Sequence, residues 1–100
     1  MTNSILVVDD DDDTRSNLAD ILIDLGYQVD TAPNGAVALE LIRKKPYDVA
    51  LLDLKMPDMD GLTLSRHIRA LRSGTVSLIV TAYANEETRL EAAQTGVWRV

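Results

Sequence analysis

Three aspartates lie at the ends of predicted buried strands, and these are the residues best suited to chemistry. Asp9 and Asp10 directly follow the apolar run 4–8, and Asp53 lies near the end of the apolar run 48–54. Carboxylate oxygens are ligands that Mg²⁺ prefers, and an aspartate carboxylate can attack phosphorus to form an acyl phosphate. If the two strands are neighbours, the repulsion among these carboxylates is costly unless a divalent cation neutralises it. The sequence therefore predicts a magnesium-dependent phosphoacceptor site with Asp53 as the nucleophile.

Short apolar runs alternate with amphipathic segments along the chain. The predicted strands are residues 4–8, 27–32, 48–54 and 76–81, with a fifth beginning at 97–100, and the predicted helices are 14–25, 36–45, 62–71 and 86–94. Strands that alternate with helices through short turns form a parallel sheet with helices on both faces. We therefore expect a three-layer α/β/α, flavodoxin-like doubly wound sheet with strand order 2-1-3-4-(5), its C-terminal strand and helix incomplete. The ligand crevice then lies at the carboxyl ends of the strands, where Thr81 would join the aspartates.

Residue types at the element ends predict where the helices begin and end. Asp13 can cap the first helix and Gly26 can end it, whereas Asn34 and Gly35 are typical of an ordinary turn. Asn85 can cap the last predicted helix. Apolar residues recur at helical spacing at Leu18, Ile21, Leu22, Leu25, Leu39, Ile42, Leu64, Ile68 and Leu71. This spacing predicts helices with one apolar side each.

Length, charge and composition exclude several classes of protein. One hundred residues suffice for one compact domain, and without cysteine neither disulfides nor thiolate metal sites can hold the fold. A formal net charge of -6, to which the aspartate run 9–13 contributes, argues against direct binding to nucleic acid. No basic, apolar N-terminal segment predicts export or membrane insertion. The simplest location is the cytoplasm.

The motifs that surround the three aspartates resemble a known family. VVDD at 7–10, DLKMPDMDG at 53–61 and TA at 81–82 resemble, in type and spacing, the signature of the receiver domain of two-component response regulators. The similarity covers essentially the whole chain, including GYQVDTAPNG at 26–35 and AAQTG at 92–96. Together these motifs are highly specific for the family.

The resemblance implies a role for each matching residue. Asp9 and Asp10 would hold Mg²⁺, Asp10 directly and Asp9 through water, and Lys55 would contribute its backbone carbonyl. Asp53 would receive the phosphoryl group. Thr81 would donate its hydroxyl to a phosphoryl oxygen and shift inward, which would transmit the modification to the surface of the fourth helix and fifth strand. In the family that surface usually contacts partners.

The chain departs from the family pattern near its last residue. Receiver domains carry a lysine a few residues beyond the position of Val100, which pairs with the acceptor carboxylate and the phosphoryl group, and a further helix follows. We therefore expect residues 1–100 to be a single, C-terminally truncated receiver domain. Val100 itself occupies the aromatic switch position and cannot make the usual ring movement. Lys55 and Tyr83 occupy positions that influence the lifetime of the phosphoryl group in the family. An incompletely covered edge strand favours pairing with another chain, which makes a homodimer a further expectation.

Two functions of different classes fit this pattern. The leading hypothesis is a signalling switch rather than a metabolic enzyme, phosphorylated by a sensor histidine kinase or phosphotransfer protein and acting on an output domain that the sequence does not identify. The alternative is a phosphorylation-independent interaction module of the same fold. A flavodoxin-like cofactor domain is disfavoured, because its phosphate loop should be rich in Ser, Thr and Gly rather than aspartate. We expect Asp11, Asp12 and Asp13 to form a solvated turn and helix cap, and His67 to have a surface or helix-packing role.

Overall fold

The chain folds around one parallel sheet. A computed structural model describes residues 3–56 and 59–80 and the backbone of residues 98–99. The strands are β1 (Ser4–Val8), β2 (Gln28–Ala32), β3 (Val49–Asp53), β4 (Val76–Val80) and β5 (Trp98–Arg99), and the helices are α1 (Asp12–Asp24), α2 (Gly35–Lys44) and α3 (Gly61–Leu71). The order in the sheet is β2-β1-β3-β4-β5, with all pairs parallel. The predicted doubly wound order is therefore confirmed, and it brings the first and third strands side by side.

Strand β1 is buried on both faces, as its apolar run predicted. The expectation of full cover was wrong for β3 and β4, whose residues alternate between buried and half-buried or exposed, so one face of these strands is only partly covered within the described residues. Leu6 and Val8 of β1 join the main hydrophobic cluster with Leu39 and Ile42 of α2, and α3 adds Ile68. Alternate residues of a strand point to opposite faces, so the other buried side chains of β1 point toward the face on which α1 contacts β1 and β2. Burial of each large side chain contributes about 1.5–3 kcal/mol, which is what fixes the strand ends in space.

Helix α1 begins earlier than its sequence predicted. Asp11, and not Asp13, is the N-cap: its side chain accepts hydrogen bonds from the backbone N–H and the hydroxyl of Thr14. The Thr14 hydroxyl bond is the main reason why the pKa of Asp11 lies below its usual value. The prediction that Gly26 ends the helix is confirmed, because Gly26 has a φ of 98° and donates its N–H to the carbonyl of Ile23.

Helical spacing was an incomplete guide to burial. Leu39, Leu64 and Ile68 are buried, but Leu71 is 43% exposed, and Ile21 is 57% exposed. Leu71 is the last residue of α3, and α1 packs mainly on the edge pair β1 and β2, so part of each apolar side extends beyond its neighbours. The spacing of apolar residues identifies the apolar side of a helix, but it does not show which of those residues another helix or strand covers.

The remaining expectations concern turns and the surface. Asn34 and Gly35, predicted as an ordinary turn, are instead the N-cap and first residue of α2, because the Asn34 side chain accepts the backbone N–H of Val37 at 2.9 Å. His67 is exposed on α3, as predicted. Asn85 and the helix predicted at 86–94 lie outside the described residues. Among the helices that the structure describes, none has the length and apolarity needed to cross a bilayer.

Candidate functional site

The three aspartates meet at the carboxyl ends of β1 and β3. The pairing of Val8 with Leu52 places Asp9, just after β1, level with Asp53, the last residue of β3. One carboxylate oxygen from each of Asp9, Asp10 and Asp53 lies within 4.8 Å of the others. Asp10 is exposed, and the other two are half-buried. The convergence expected from strand order is therefore present in the structure.

Local hydrogen bonds fix the turn that carries the first two aspartates. The backbone N–H of Asp9 continues the sheet by donating to the carbonyl of Ala32, and an Asp9 carboxylate oxygen accepts the N–H of Asp11 at 2.9 Å. Arg15 reaches back from α1 and donates to the Asp9 carbonyl at 2.8 Å while pairing with the carboxylate of Asp12. These bonds hold the turn in place although its carboxylates repel one another.

The charge state of Asp53 reflects this crowding. Burial, and next the negative charge of Asp9, raise the pKa of Asp53 from 3.8 to about 6, and Asp10 adds to the increase. The backbone N–H of Lys55 opposes it by donating to an Asp53 carboxylate oxygen at 3.3 Å. The Asp53 carboxylate is thus held at the strand end in a position where its own negative charge is unfavourable.

The connection from β3 to α3 passes very close to Asp53. The N–H of Gly61 donates to the carbonyl of Leu54 at 3.0 Å, and Asp60 caps α3 by accepting the N–H of Thr63 at 2.7 Å. A Cβ at Gly61 would lie only 2.5 Å from the carbonyl oxygen of Asp53. Glycine is required at position 61 because backbone lies against backbone there, so α3 begins directly against the aspartate.

The donor set fits a hard divalent cation. Carboxylates are ligands of Mg²⁺, and one or two of them, completed by waters and a phosphate oxygen, are typical of phosphoryl-transfer sites. Because burial and the charge of Asp9 raise the pKa of Asp53, a cation bound among the three carboxylates would be favourable. Lys55, for which the resemblance implied a carbonyl ligand, is exposed beside the cluster. Thr81, Tyr83 and Val100, for which the resemblance implied roles, lie outside the described residues.

Sequence reasoning missed the residues that support the cluster. Arg15 was not singled out. It is the first basic residue in the chain, and the next is Arg43, so within residues 1–42 Arg15 is the one basic side chain that can pair with the aspartates at 9–13. Gly61 was noted only as the last residue of the motif at 53–61. Its constraint is a backbone contact with Asp53 across the loop, which residue type and spacing do not reveal.

Comparisons with known proteins agree with this geometry. The family model described as the response regulator receiver domain matches residues 5–100. The transcriptional regulatory protein ZraR of Escherichia coli K12 is 42% identical over 92 residues, which are 92% of this chain and 21% of ZraR. The chain therefore spans about a fifth of the length of that relative.

Two solved structures of similar proteins contain ligands. A Burkholderia pseudomallei response regulator with a phosphorylated aspartic acid, a calcium ion and citrate matches with a TM-score of 0.91 at 29% identity, over 97% of this chain and 57% of that one. Response regulator TrrA of Thermotoga maritima, in complex with Mg²⁺ and BeF, matches with a TM-score of 0.88 at 33% identity, over 99% of this chain and 85% of that one. The sheet order, the aspartate cluster and the family match together establish that the chain belongs to the response regulator receiver domain family.

Proposed function

We propose that this chain is the phosphoacceptor switch of a two-component phosphorelay and that Asp53 accepts the phosphoryl group in the presence of Mg²⁺. The observation that carries the proposal is the meeting of Asp9, Asp10 and Asp53 within 4.8 Å at the carboxyl ends of neighbouring strands. The phosphorylated aspartic acid named for the Burkholderia relative supports the same chemistry. The chain acts as a regulatory acceptor in this proposal, not as a metabolic enzyme.

Phosphoryl transfer needs only one covalent exchange at Asp53. A carboxylate oxygen bonds to phosphorus while the P–N bond of a donor phosphohistidine breaks, and the imidazole leaves with the bonding electron pair and takes up a proton. The backbone N–H of Lys55 orients the Asp53 carboxylate by donating a hydrogen bond to one of its oxygens.

The remaining site residues have supporting roles. Asp9 and Asp10 would hold Mg²⁺ with Asp53 and the Lys55 carbonyl, and the bound cation would offset the charge of the transferring group. Thr81 would donate its hydroxyl to a phosphoryl oxygen and move inward with it. Response regulators receive signals from histidine kinases, so a sensor kinase or phosphotransfer protein is the proposed donor. The output domain or target, which the sequence does not identify, would respond to the displaced surface.

The other parts of the proposal rest on the sequence. Residues 1–100 are taken as one receiver domain that works in the cytoplasm, without direct contact to nucleic acid or membrane, and with a homodimer as its self-associated form. The acidic balance of the chain, with a formal net charge of -6, supports the absence of nucleic-acid binding.

Intact-mass measurement on the chain incubated with Mg²⁺ and a small phosphodonor tests the proposal. The expected result is one phosphoryl adduct that requires Mg²⁺ and disappears in Asp53→Asn. Asp48→Asn is the matched control, because Asp48 is an exposed aspartate just before the other end of β3 and its contact to the Ser4 N–H survives with the amide oxygen. The control should retain the adduct.

The same measurement distinguishes the switch from the interaction module. A folded wild-type chain that binds Mg²⁺ but gains no adduct would contradict the phosphoacceptor proposal and favour phosphorylation-independent binding. An adduct that persists in Asp53→Asn would show that another residue is the acceptor.

A further inference from the structure

The loop between β3 and α3, residues 54–60, contacts α2 through Met59. Met59 is partly buried and packs against the hydrophobic core, and Gly35, the first residue of α2, is fully covered. A Cβ at Gly35 would lie 3.0 Å from the Met59 sulfur and 3.2 Å from the Met59 Cβ. Both distances are tighter than most contacts of real Cβ atoms, so Met59 must yield by a few tenths of an ångström to an added methyl group.

The backbone of Gly35 does not itself require glycine. Among the described residues, Gly26 is the glycine with a positive φ, and Gly35 has an ordinary helical start capped by Asn34. Alanine forms helices better than glycine does, so the helix alone would favour a side chain here. The absence of one is explained by the Met59 contact.

A displacement of Met59 would be transmitted to the acceptor, because both ends of the loop are held. At one end the Lys55 N–H donates to the Asp53 carboxylate at 3.3 Å. At the other end the Gly61 N–H donates to Leu54 O at 3.0 Å, and Gly61 lies against the carbonyl of Asp53. Met59 lies two residues before Gly61 and four residues after Lys55 in this short loop, whose residues 57 and 58 lie outside the described part of the chain. We expect a displacement of Met59 to act on the contact between Gly61 and Asp53 and, because the loop is short and its ends are held, to reach the Lys55 N–H.

We propose that Gly35 and Met59 are positioning residues for the reaction at Asp53: the bare surface of Gly35 receives Met59 and so sets the position of the loop that carries Lys55. The proposal rests on the phosphoacceptor function of Asp53. It assigns to the first turn of α2, which carries none of the three clustered aspartates, a part in setting the reactivity of Asp53.

A cycle of four proteins tests the proposal: wild type, Gly35→Ala, Met59→Ala and the double variant. The matched control is Gly74→Ala, because a Cβ at Gly74 meets nothing within 4 Å. Three quantities are measured: the amide chemical shift of Lys55 without metal, the phosphorylation rate constant at saturating Mg²⁺ and phosphodonor, and the melting temperature. Rates are taken at a temperature where every variant is folded, so that a loss of stability alone cannot change them.

Gly35→Ala should shift the Lys55 amide and slow phosphorylation about tenfold, because a misplacement of about 1 Å can cost about a hundredfold in rate and a smaller shift costs less. In the Met59→Ala background the same substitution should change the rate less than about twofold, since neighbouring residues show non-additive effects only while their contact exists. Gly74→Ala should leave rate and amide unchanged.

Equal slowing by Gly35→Ala in both backgrounds, or an unchanged Lys55 amide and rate in the single variant, would overturn the proposal. A wild-type chain that gains no phosphoryl adduct would instead refute the phosphoacceptor function. In that case the Lys55 amide shift alone tests whether Gly35 and Met59 position the loop. It must differ between wild type and Gly35→Ala, and it must be the same in Met59→Ala and in the double variant.

Discussion

Two regions of the sheet affect the charge of an aspartate in opposite ways. At the carboxyl ends, the acidic cluster (Asp9, Asp10 and Asp53) collects like charges, and the pKa of Asp53 rises to about 6. Asp30, in the middle of β2, is partnered by Tyr47 and Lys45, which lie just before β3. The hydrogen bond from Tyr47 is the main reason why the pKa of Asp30 is lowered. The same residue type is thus stabilised as a carboxylate at Asp30 and destabilised at Asp53.

A hydrogen-bonded network explains the behaviour of Asp30. The Tyr47 hydroxyl donates to Asp30 at 2.6 Å, and the Lys45 ammonium lies 2.9 Å from the same oxygen and 5.0 Å from the Tyr47 ring centre. Burial, and then the Asp30 bond, raise the pKa of Tyr47, so the phenol remains a donor. The Thr75 hydroxyl donates to the Tyr47 carbonyl at 2.7 Å and ties β4 to the same network.

Basic side chains contribute to the same region by satisfying helix ends. Arg72, at the C-cap of α3, donates to the carbonyls of Ile42 and Arg43 at 3.0 and 3.2 Å, which are carbonyls in the last turn of α2. The Arg72 guanidinium therefore satisfies carbonyls that have no partner within α2, and its positive charge interacts favourably with the negative end of the helix dipole. The comparison teaches that Asp30 is paired with a cation of the chain, Lys45, whereas like charges meet at the acidic cluster, where an added cation would be favourable.

The largest expected effect is at a glycine near the acidic cluster. Gly61→Ala places a Cβ 2.5 Å from the Asp53 carbonyl oxygen, and neither backbone can yield without moving α3 or β3. We expect a loss of about 3 kcal/mol in the free energy of unfolding, at the upper end for overpacking. Urea unfolding followed by circular dichroism measures it.

Gly74→Ala provides the matched substitution in the loop at the other end. A Cβ there has open space, so the free energy of unfolding should change by less than about 0.5 kcal/mol. Similar stabilities of the two alanine variants would mean that α3 does not begin against Asp53 as described.

The next prediction is that replacing Asp53 and replacing Asp30 change the free energy of unfolding in opposite directions. Asp53 has a raised pKa in the folded protein, so its ionised form opposes folding as the pH rises from about 4 to 6, and this cost is fully present at pH 7.5. Without Mg²⁺, Asp53→Asn should therefore stabilise the chain, by about 1–2 kcal/mol once solvent screening is allowed for. Urea unfolding in a chelating buffer measures the change.

Asp30→Asn should act in the opposite direction. Its folded pKa is lowered, so the carboxylate favours folding above its usual pKa, and this contribution is lost as the pH falls through the folded value. The amide retains an acceptor for Tyr47 but loses the charge beside Lys45, which should cost about 0.5–1 kcal/mol. Destabilisation by both substitutions would remove the distinction between the two regions.

The sequence predicted the acidic cluster better than it predicted its supports. Asp9, Asp10 and Asp53 follow apolar strands, and parallel order alone brings such strand ends together. Arg15 and Gly61 act through contacts to backbone that are set by tertiary packing, which periodicity does not encode. Asp11 replaced Asp13 as the helix cap because the turn is fixed by bonds from Asp9 and Arg15.

Burial was predictable for β1 but only partly for β3, β4 and the helices. Residues of β1 are covered on both faces, so an apolar run was sufficient to predict their burial. Ile21 and Leu71 fit a helical stripe but are exposed, since coverage depends on which neighbours lie beside each end of a helix. The network around Asp30 and Tyr47 joins residues 17 positions apart and had no sequence signal.

The pH titration of the Asp53 carboxyl carbon by NMR tests the central claim most directly. Without metal, Asp53 should titrate near pH 6 and Asp30 below its usual value, because the first is crowded by carboxylates and the second is paired. Saturating Mg²⁺ should lower the Asp53 midpoint and leave Asp30 unchanged, since a nearby cation favours the carboxylate. An Asp53 midpoint near 4 that does not respond to Mg²⁺ would contradict the account.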